Sequence, residues 1–99
     1  MNYDDRLLKK LKAFFVTAHK NKFNEITEAI VSGEIARAHR LVHSLKSNAG
    51  MIGMRELQRA ASDVEKALKD GVNHTTDELM SALQFALAAT LDELAGEAA

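Results

Sequence analysis

The stretch IARAHRLVHSLKSNAGMIG, residues 35–53, separates its apolar and polar side chains onto two faces of a helix. Apolar side chains recur every three to four residues, the spacing of a helix that buries one face. Those positions are Ile35, Ala38, Val42, Leu45, Ala49 and Ile52. The opposite face carries His39, Arg40, His43, Lys46, Ser47 and Gly50. The pattern predicts a helix over residues 34–51 with His43 on its polar face and Gly53 ending it.

The chain before this stretch also has a helical pattern. An apolar stripe runs through residues 4–32, but polar residues interrupt it at 19–22. One bent helix and two abutting helices both fit, and we favour one bent helix. The adjacent Phe14, Phe15 and Val16 cannot all face one core, so either Phe14 or Val16 is expected at its margin. Gly33 is expected to turn the chain into the next helix as a left-handed residue.

The chain after the stretch predicts two more helices. One starts at residue 54 or 55 and runs to 70, and the last runs to residue 94 after a threonine N-cap at 75 or 76. Residues 95–99 are expected to fray. Four amphipathic stretches joined by short turns make an all-α, up-and-down antiparallel four-helix bundle the expected fold, with residues 1–99 forming one domain.

The composition argues against several classes of function. The net charge of −1 gives no basic excess for nucleic acid or for an anionic membrane, and gives no indication of electrostatic steering. The absence of cysteine excludes disulfides and thiolate chemistry. No apolar run approaches the roughly 20 residues of a membrane span. We expect a cytoplasmic, monomeric domain without membrane contact.

The residues around His43 suit reversible chemistry with an anionic group. Lys46 lies one helical turn on, and Ser47 and Gly50 leave little bulk beside the imidazole. Glycine inside a helix costs about 1 kcal/mol relative to alanine, so Gly50 needs a reason. Either the helix frays near Gly53 or a partner approaches here. From spacing alone, His43 could also be an ordinary solvated side chain.

Other uses of the histidines have less support. His39 and His43 are spaced as an i, i+4 pair that could bind a metal, but no carboxylate accompanies them on this face, so we predict no metal site. His19 and His74 are predicted to take no part. The chain has no Gly-rich phosphate loop and no Ser-His-Asp set, so a self-contained enzyme is not expected.

The motif resembles that of the histidine-containing phosphotransfer (HPt) domains of bacterial phosphorelays. The family pattern is His-x-x-Lys-Gly, followed by small residues, a hydrophobic residue and a Gly ten positions after the His. The corresponding stretch of this chain is His43-Ser44-Leu45-Lys46-Ser47, followed later by Ile52-Gly53. The turn at residues 32–34 lies upstream as in the family, and Leu57 and Glu65 fall where a Leu and a Glu are usual. The chain departs at Ser47, where the family most often has Gly, and this concerns docking rather than the chemistry.

The resemblance implies that His43 accepts a phosphoryl group and that Lys46 stabilises its charge. His39, Arg40, Ser47 and Gly50 would form a docking face for response-regulator receiver domains. The receiver would supply the aspartate and the Mg²⁺, so the chain needs no cofactor and no kinase site of its own. It would act alone or with a hybrid sensor histidine kinase. The alternatives are a non-catalytic helical interaction or dimerisation module, and a family member that docks receivers without carrying phosphate.

Overall fold

The computed structural model describes residues 5–98, and all regular structure in that range is helical. The helices are α1 (Asp5–His19), α2 (Lys22–Val31), α3 (Ile35–Met51), α4 (Arg55–Leu68) and α5 (Asp77–Ala98). The all-α prediction is confirmed. Residue 4, where the first helix was predicted to start, and Ala99 lie outside the described residues.

The prediction of one bent helix over residues 4–32 is wrong, because the chain breaks into α1 and α2 at Lys20 and Asn21. Asn21 has φ −110° and ψ 12°, away from helical values. His19, predicted as part of the polar interruption, is instead buried in the bundle. Of the adjacent Phe14, Phe15 and Val16, Phe15 is buried and Phe14 lies at the margin of the core, with 68% of its surface exposed, as one of the two expected outcomes. The apolar stripe therefore continues to His19 and restarts in α2.

Two turns of the same kind place α3 between its neighbours. Gly33 and Gly53 have φ of +78° and +77°, a region that side chains with a Cβ disfavour. Behind each glycine a backbone N–H reaches back five residues, from Glu34 to the carbonyl of Ala29 and from Met54 to that of Ala49. These bonds satisfy carbonyls left free at the ends of α2 and α3. Three residues therefore separate α3 from each of its neighbours along the chain.

The last helix is longer than predicted. It has the expected threonine cap, since the Thr76 hydroxyl accepts a hydrogen bond from the N–H of Leu79 at 3.2 Å. The prediction of fraying from residue 95 is wrong, because α5 continues to Ala98. Beyond the buried Leu94, Lys12 Nζ of α1 lies 2.9 Å from Glu97 Oε1. This contact with α1 holds the last turn.

The core is mainly aliphatic and joins all five helices. Helix α3 packs mainly against α2 and α4, and α5 packs against α4 and α1. Within residues 5–98, no comparable packing joins α3 to α5, so these two helices lie on opposite sides of the bundle. No helix in this range is long and apolar enough to cross a lipid bilayer. The polar face of α3 is thus left open beside α4.

Candidate functional site

His43 lies in the middle of α3 with its side chain directed away from the core. Its neighbours Val42 and Leu45 are fully buried, whereas 56% of the His43 side chain is exposed. Because the backbone on both sides is anchored in the core, the imidazole has a defined position and remains open to a partner.

Helix α4 contributes a carboxylate that joins His43 to Lys46. Glu65 Oε2 lies 2.5 Å from His43 Nδ1, and Glu65 Oε1 lies 2.5 Å from Lys46 Nζ. Only 12% of the Glu65 side chain is exposed, and the preceding Val64 is buried in the core. The packing of α4 on α3 therefore fixes the position of this carboxylate between the two side chains.

The protonation states of the pair follow from this geometry. Burial alone would raise the pKa of the Glu65 carboxyl, but hydrogen bonds from Lys46 and His43 and their charges outweigh burial and lower the pKa below its ordinary value. An ionised carboxylate only accepts hydrogen bonds, so Nδ1 of His43 is the donor. In the neutral ring the lone pair is then on Nε2, the nitrogen that Glu65 does not contact.

His39 lies beside His43 on the same face. The two rings are nearly parallel, at 14°, with their centroids 6.4 Å apart. His39 Nε2 is 3.8 Å from the same Glu65 oxygen that contacts His43. Helix α3 itself has no carboxylate on this face beside the two histidines, and the packing of α4 supplies one. Even so, no group of three or more potential ligands within residues 5–98 has the arrangement of a metal site.

The remaining predicted docking residues are at three places around His43. Arg40 and Ser47 are exposed on α3, one turn before and one turn after it. Gly50 is partly buried, and a Cβ there would lie 2.6 Å from Gln58 Nε2 of α4. The side chain of Gln58 thus occupies the space beside the Gly50 backbone. Because this is the flexible end of an exposed side chain, Gln58 can move to admit a Cβ, and the contact alone does not require a glycine at this position.

An open groove between α3 and α4 begins beside the His43 site at Lys46. We call it the basic groove; it is lined by Lys46, Gly50, Gly53, Arg55, Gln58, Arg59, Ser62, Asp63 and Lys66. The α4 cations were not among the predicted site residues. Their place follows only from how α4 packs on α3.

Glu65 was also missing from the predicted site. Its contact with His43 joins residues 22 positions apart on different helices, so no helical spacing links them. The signal that could have found it was its match to a family position. The Glu65 carboxylate is nevertheless the residue that joins the site together.

The two other histidines lie outside the site. His74 contacts Asp70 at 3.1 Å in the turn before α5. His19 is only 3% exposed, its Nε2 lies 3.0 Å from Asn48 Nδ2 of α3, and its Nδ1 has no hydrogen-bond partner. Burial and the nearby Lys22 charge lower the pKa of His19, against a smaller opposing effect of Glu25. His19 is therefore a neutral side chain that joins α1 to α3.

The comparison with protein families assigns nearly the whole chain to one family. A model of the Hpt domain matches residues 10–97, which is most of the chain. The chain belongs to the Hpt domain family, as the resemblance predicted. Domains of this family are phosphotransfer carriers of phosphorelays, which exchange phosphoryl groups with receiver domains and are not kinases. Comparisons with curated proteins and with solved structures gave no significant match.

Proposed function

We propose that this domain is a phosphorelay intermediate that carries a phosphoryl group on Nε2 of His43. It would exchange this group with the aspartate of a response-regulator receiver domain. The observation that carries the proposal is the 2.5 Å contact between Glu65 Oε2 and His43 Nδ1 in an Hpt chain. This contact selects the ring nitrogen that keeps a lone pair, on a side chain that a partner can reach.

The transfer needs little chemistry from the chain itself. The Nε2 lone pair attacks the phosphorus of the receiver's aspartyl phosphate. As the N–P bond forms, the P–O bond to the aspartate breaks and its electrons leave with the carboxylate. The ring gains positive charge and keeps its Nδ1–H, and the adjacent Glu65 carboxylate compensates that charge. No proton has to leave, so the reverse transfer follows the same path.

Lys46 and the partner stabilise the charge of the transferred group. The Lys46 ammonium group is held beside His43 through Glu65 and can donate to the phosphoryl oxygens when they arrive. A charge-assisted hydrogen bond of this kind contributes about 1.5–3 kcal/mol. The receiver would supply the Mg²⁺, which would offset negative charge on the phosphoryl oxygens. Exposed Arg40 and the small Ser47, together with His39 and Gly50, would contact the receiver around the imidazole.

The bundle positions these groups rather than moving them. Three-residue turns around α3 and packing that follows chain order favour an up-and-down antiparallel course for the helices. In-line transfer depends mainly on positioning, which a rigid histidine supplies. No ATP site is needed in this scheme, because the phosphoryl group arrives already activated on the partner.

The test is transfer from receiver domains labelled with radioactive acetyl phosphate. We expect acid-labile, base-stable label on the parent chain and none on His43→Gln. His74→Gln is the matched control, because the exposed His74 side chain contacts Asp70 and not Glu65, and it should label like the parent. Label that persists on His43→Gln would contradict the assignment of His43.

A further inference from the structure

The near-neutral net charge conceals a separation of charge across the bundle. Helix α3 carries three cations, Arg37, Arg40 and Lys46, and no carboxylate, whereas α5 carries five carboxylates and no cation. Because α3 and α5 lie on opposite sides of the bundle, the charges are on opposite faces. The His43 face is therefore the positive one.

Helix α4, between these faces, adds exposed cations to the side that adjoins α3. Arg55, Arg59 and Lys66 line the basic groove beside α3. Their spacing of four and eleven residues places them within about 40° of each other around the helix. Glu56 lines the groove between α4 and α5 together with Glu93, and Arg55 borders both grooves. The positive face thus extends from α3 onto the adjoining side of α4.

The cations of this extension are available to a partner. Arg55, Arg59 and Lys66 are exposed, and no ion pair joins them to a carboxylate within residues 5–98. Asp63 also lines the groove and reduces its charge only in part. Unpaired cations placed close together on one surface repel each other, and an acidic partner would relieve that repulsion.

We propose that the basic groove is the docking surface for an acidic protein surface, namely the carboxylate-rich surface around the phosphorylated aspartate of the receiver. This inference rests on the proposed function and adds to it the chemistry of the partner surface. Lys46 belongs both to the groove and to the His43 site, so a partner seated in the groove brings its aspartyl phosphate to Nε2. The acidic α5 repels the same partner, which disfavours docking in the opposite orientation.

The experiment reverses two groove charges and compares them with two reversed elsewhere. The groove variant is Arg59→Glu with Lys66→Glu, and the control is Lys10→Glu with Lys20→Glu, which changes the net charge equally at exposed positions on α1 and in the following turn. The probes are purified receiver domains labelled with radioactive acetyl phosphate. Initial labelling rates of His43 are measured at about 0.02 M and about 0.5 M salt, which bracket strong and weak interaction between charges.

The groove variant should label about tenfold or more slowly than the parent at low salt and within about twofold of it at high salt. The labelling rate of the control variant should remain within about twofold of the parent rate at both salt concentrations. Agreement of the variant rate with the parent rate at high salt also shows that the variant is folded and that its His43 is as reactive as that of the parent. If charge reversal prevents folding, Arg59→Gln with Lys66→Gln should show a smaller loss with the same dependence on salt.

The two proposals fail in different ways. Groove variants that label like the control at low salt would overturn the docking surface and leave the phosphoryl carrier in place. A parent chain that no receiver labels at either salt concentration would overturn the carrier, and the docking surface with it.

Discussion

At the scale of single residues, the site depends on one carboxylate shared by several cationic or ionisable groups. Glu65 contacts His43 through one oxygen and Lys46 through the other, and His39 lies near the first. The carboxylate orients the imidazole, holds its Nδ1 proton and positions the ammonium group. In the proposed function, His43 would be the reacting group, and Glu65 would be a positioning residue that acts through it.

Replacing Glu65 by glutamine should slow transfer without removing the phosphoryl acceptor. The amide keeps the size of the side chain but loses the charge that orients His43 and Lys46. A charge-assisted hydrogen bond of about 1.5–3 kcal/mol corresponds to a rate reduced roughly tenfold to a hundredfold. Single-turnover labelling measures the rate, and Glu56→Gln, exposed on the same helix, is the control. A Glu65→Gln rate within about twofold of the parent would show that the carboxylate does not assist transfer.

The same carboxylate should make stability depend on acid pH. Its pKa is lowered in the fold, so its contribution to the free energy of unfolding is present above the ordinary value of 4.5 and is lost as pH falls through the folded value. In urea unfolding, the free energies of unfolding of the parent and of Glu65→Gln should therefore converge once the pH is below the folded pKa of Glu65. A difference between the two that is constant with pH would mean that ionisation of Glu65 does not stabilise the fold.

At the scale of helices, α3 is positioned by its turns and by contacts from its neighbours. The glycine turns fix where it begins and ends, Gln58 of α4 packs beside Gly50, and His19 of α1 reaches Asn48. These contacts hold the helix on two sides while leaving the face with His43 open. The backbone of His43 is therefore held by its helix, although the His43 side chain itself is exposed.

Gly53→Ala should destabilise the fold through its backbone alone. No atom lies within 4 Å of the added Cβ, so the cost is that of a left-handed residue with φ +77°, about 1–2 kcal/mol. Chemical unfolding measures it. Gly96→Ala is the control, because it also adds a Cβ in open space but lies inside α5, where alanine is favoured. Equal stability of the two variants would contradict this account of the turn.

His19 should make stability fall between neutral and mildly acidic pH. The folded chain keeps it neutral because burial lowers its pKa, whereas the unfolded chain takes up a proton near the ordinary value of 6.5. The unfolded state therefore binds more protons below that pH, and the free energy of unfolding decreases. His19→Gln should reduce this decrease, and His74→Gln should keep the slope of the parent. Identical slopes for parent and His19→Gln would exclude His19 as the cause.

At the scale of the whole molecule, the charges form a positive face around His43 and a negative face at α5. The net charge of −1 does not indicate this arrangement, because a net charge does not say where on the molecule the individual charges lie. The electric field of such faces acts on a partner as it approaches. Salt screens this field, and the screening length is about 8–10 Å near physiological ionic strength. The separation of charge therefore acts on the rate of encounter rather than on the transfer itself.

The parent chain should accordingly lose labelling rate as salt increases. We expect about a tenfold decrease between about 0.02 M and about 0.5 M salt, since steering rather than chemistry responds to screening. Circular dichroism under both conditions should show the same helix content. A labelling rate independent of salt would indicate that the charged faces do not contribute to encounter.

The sequence by itself determined the features that are local to one helix. The period of α3 placed His43 and Lys46 on one face and Val42 and Leu45 on the other, because side chains three and four residues apart are neighbours on a helix. The glycine turns and the threonine cap were likewise predicted from neighbouring residues. The family resemblance added the phosphotransfer class, which the family match confirmed.

Tertiary structure alone decided the features that join separate helices. The carboxylate of Glu65 reaches His43, Gln58 occupies the space beside Gly50, and Lys12 holds the end of α5. The polar residues at 19–22 located an interruption, but only the structure shows a break into two helices there, next to the buried His19 that contacts α3. Periodicity reports which face of a helix is buried but not which residues of another helix meet it, since that depends on how the helices are packed.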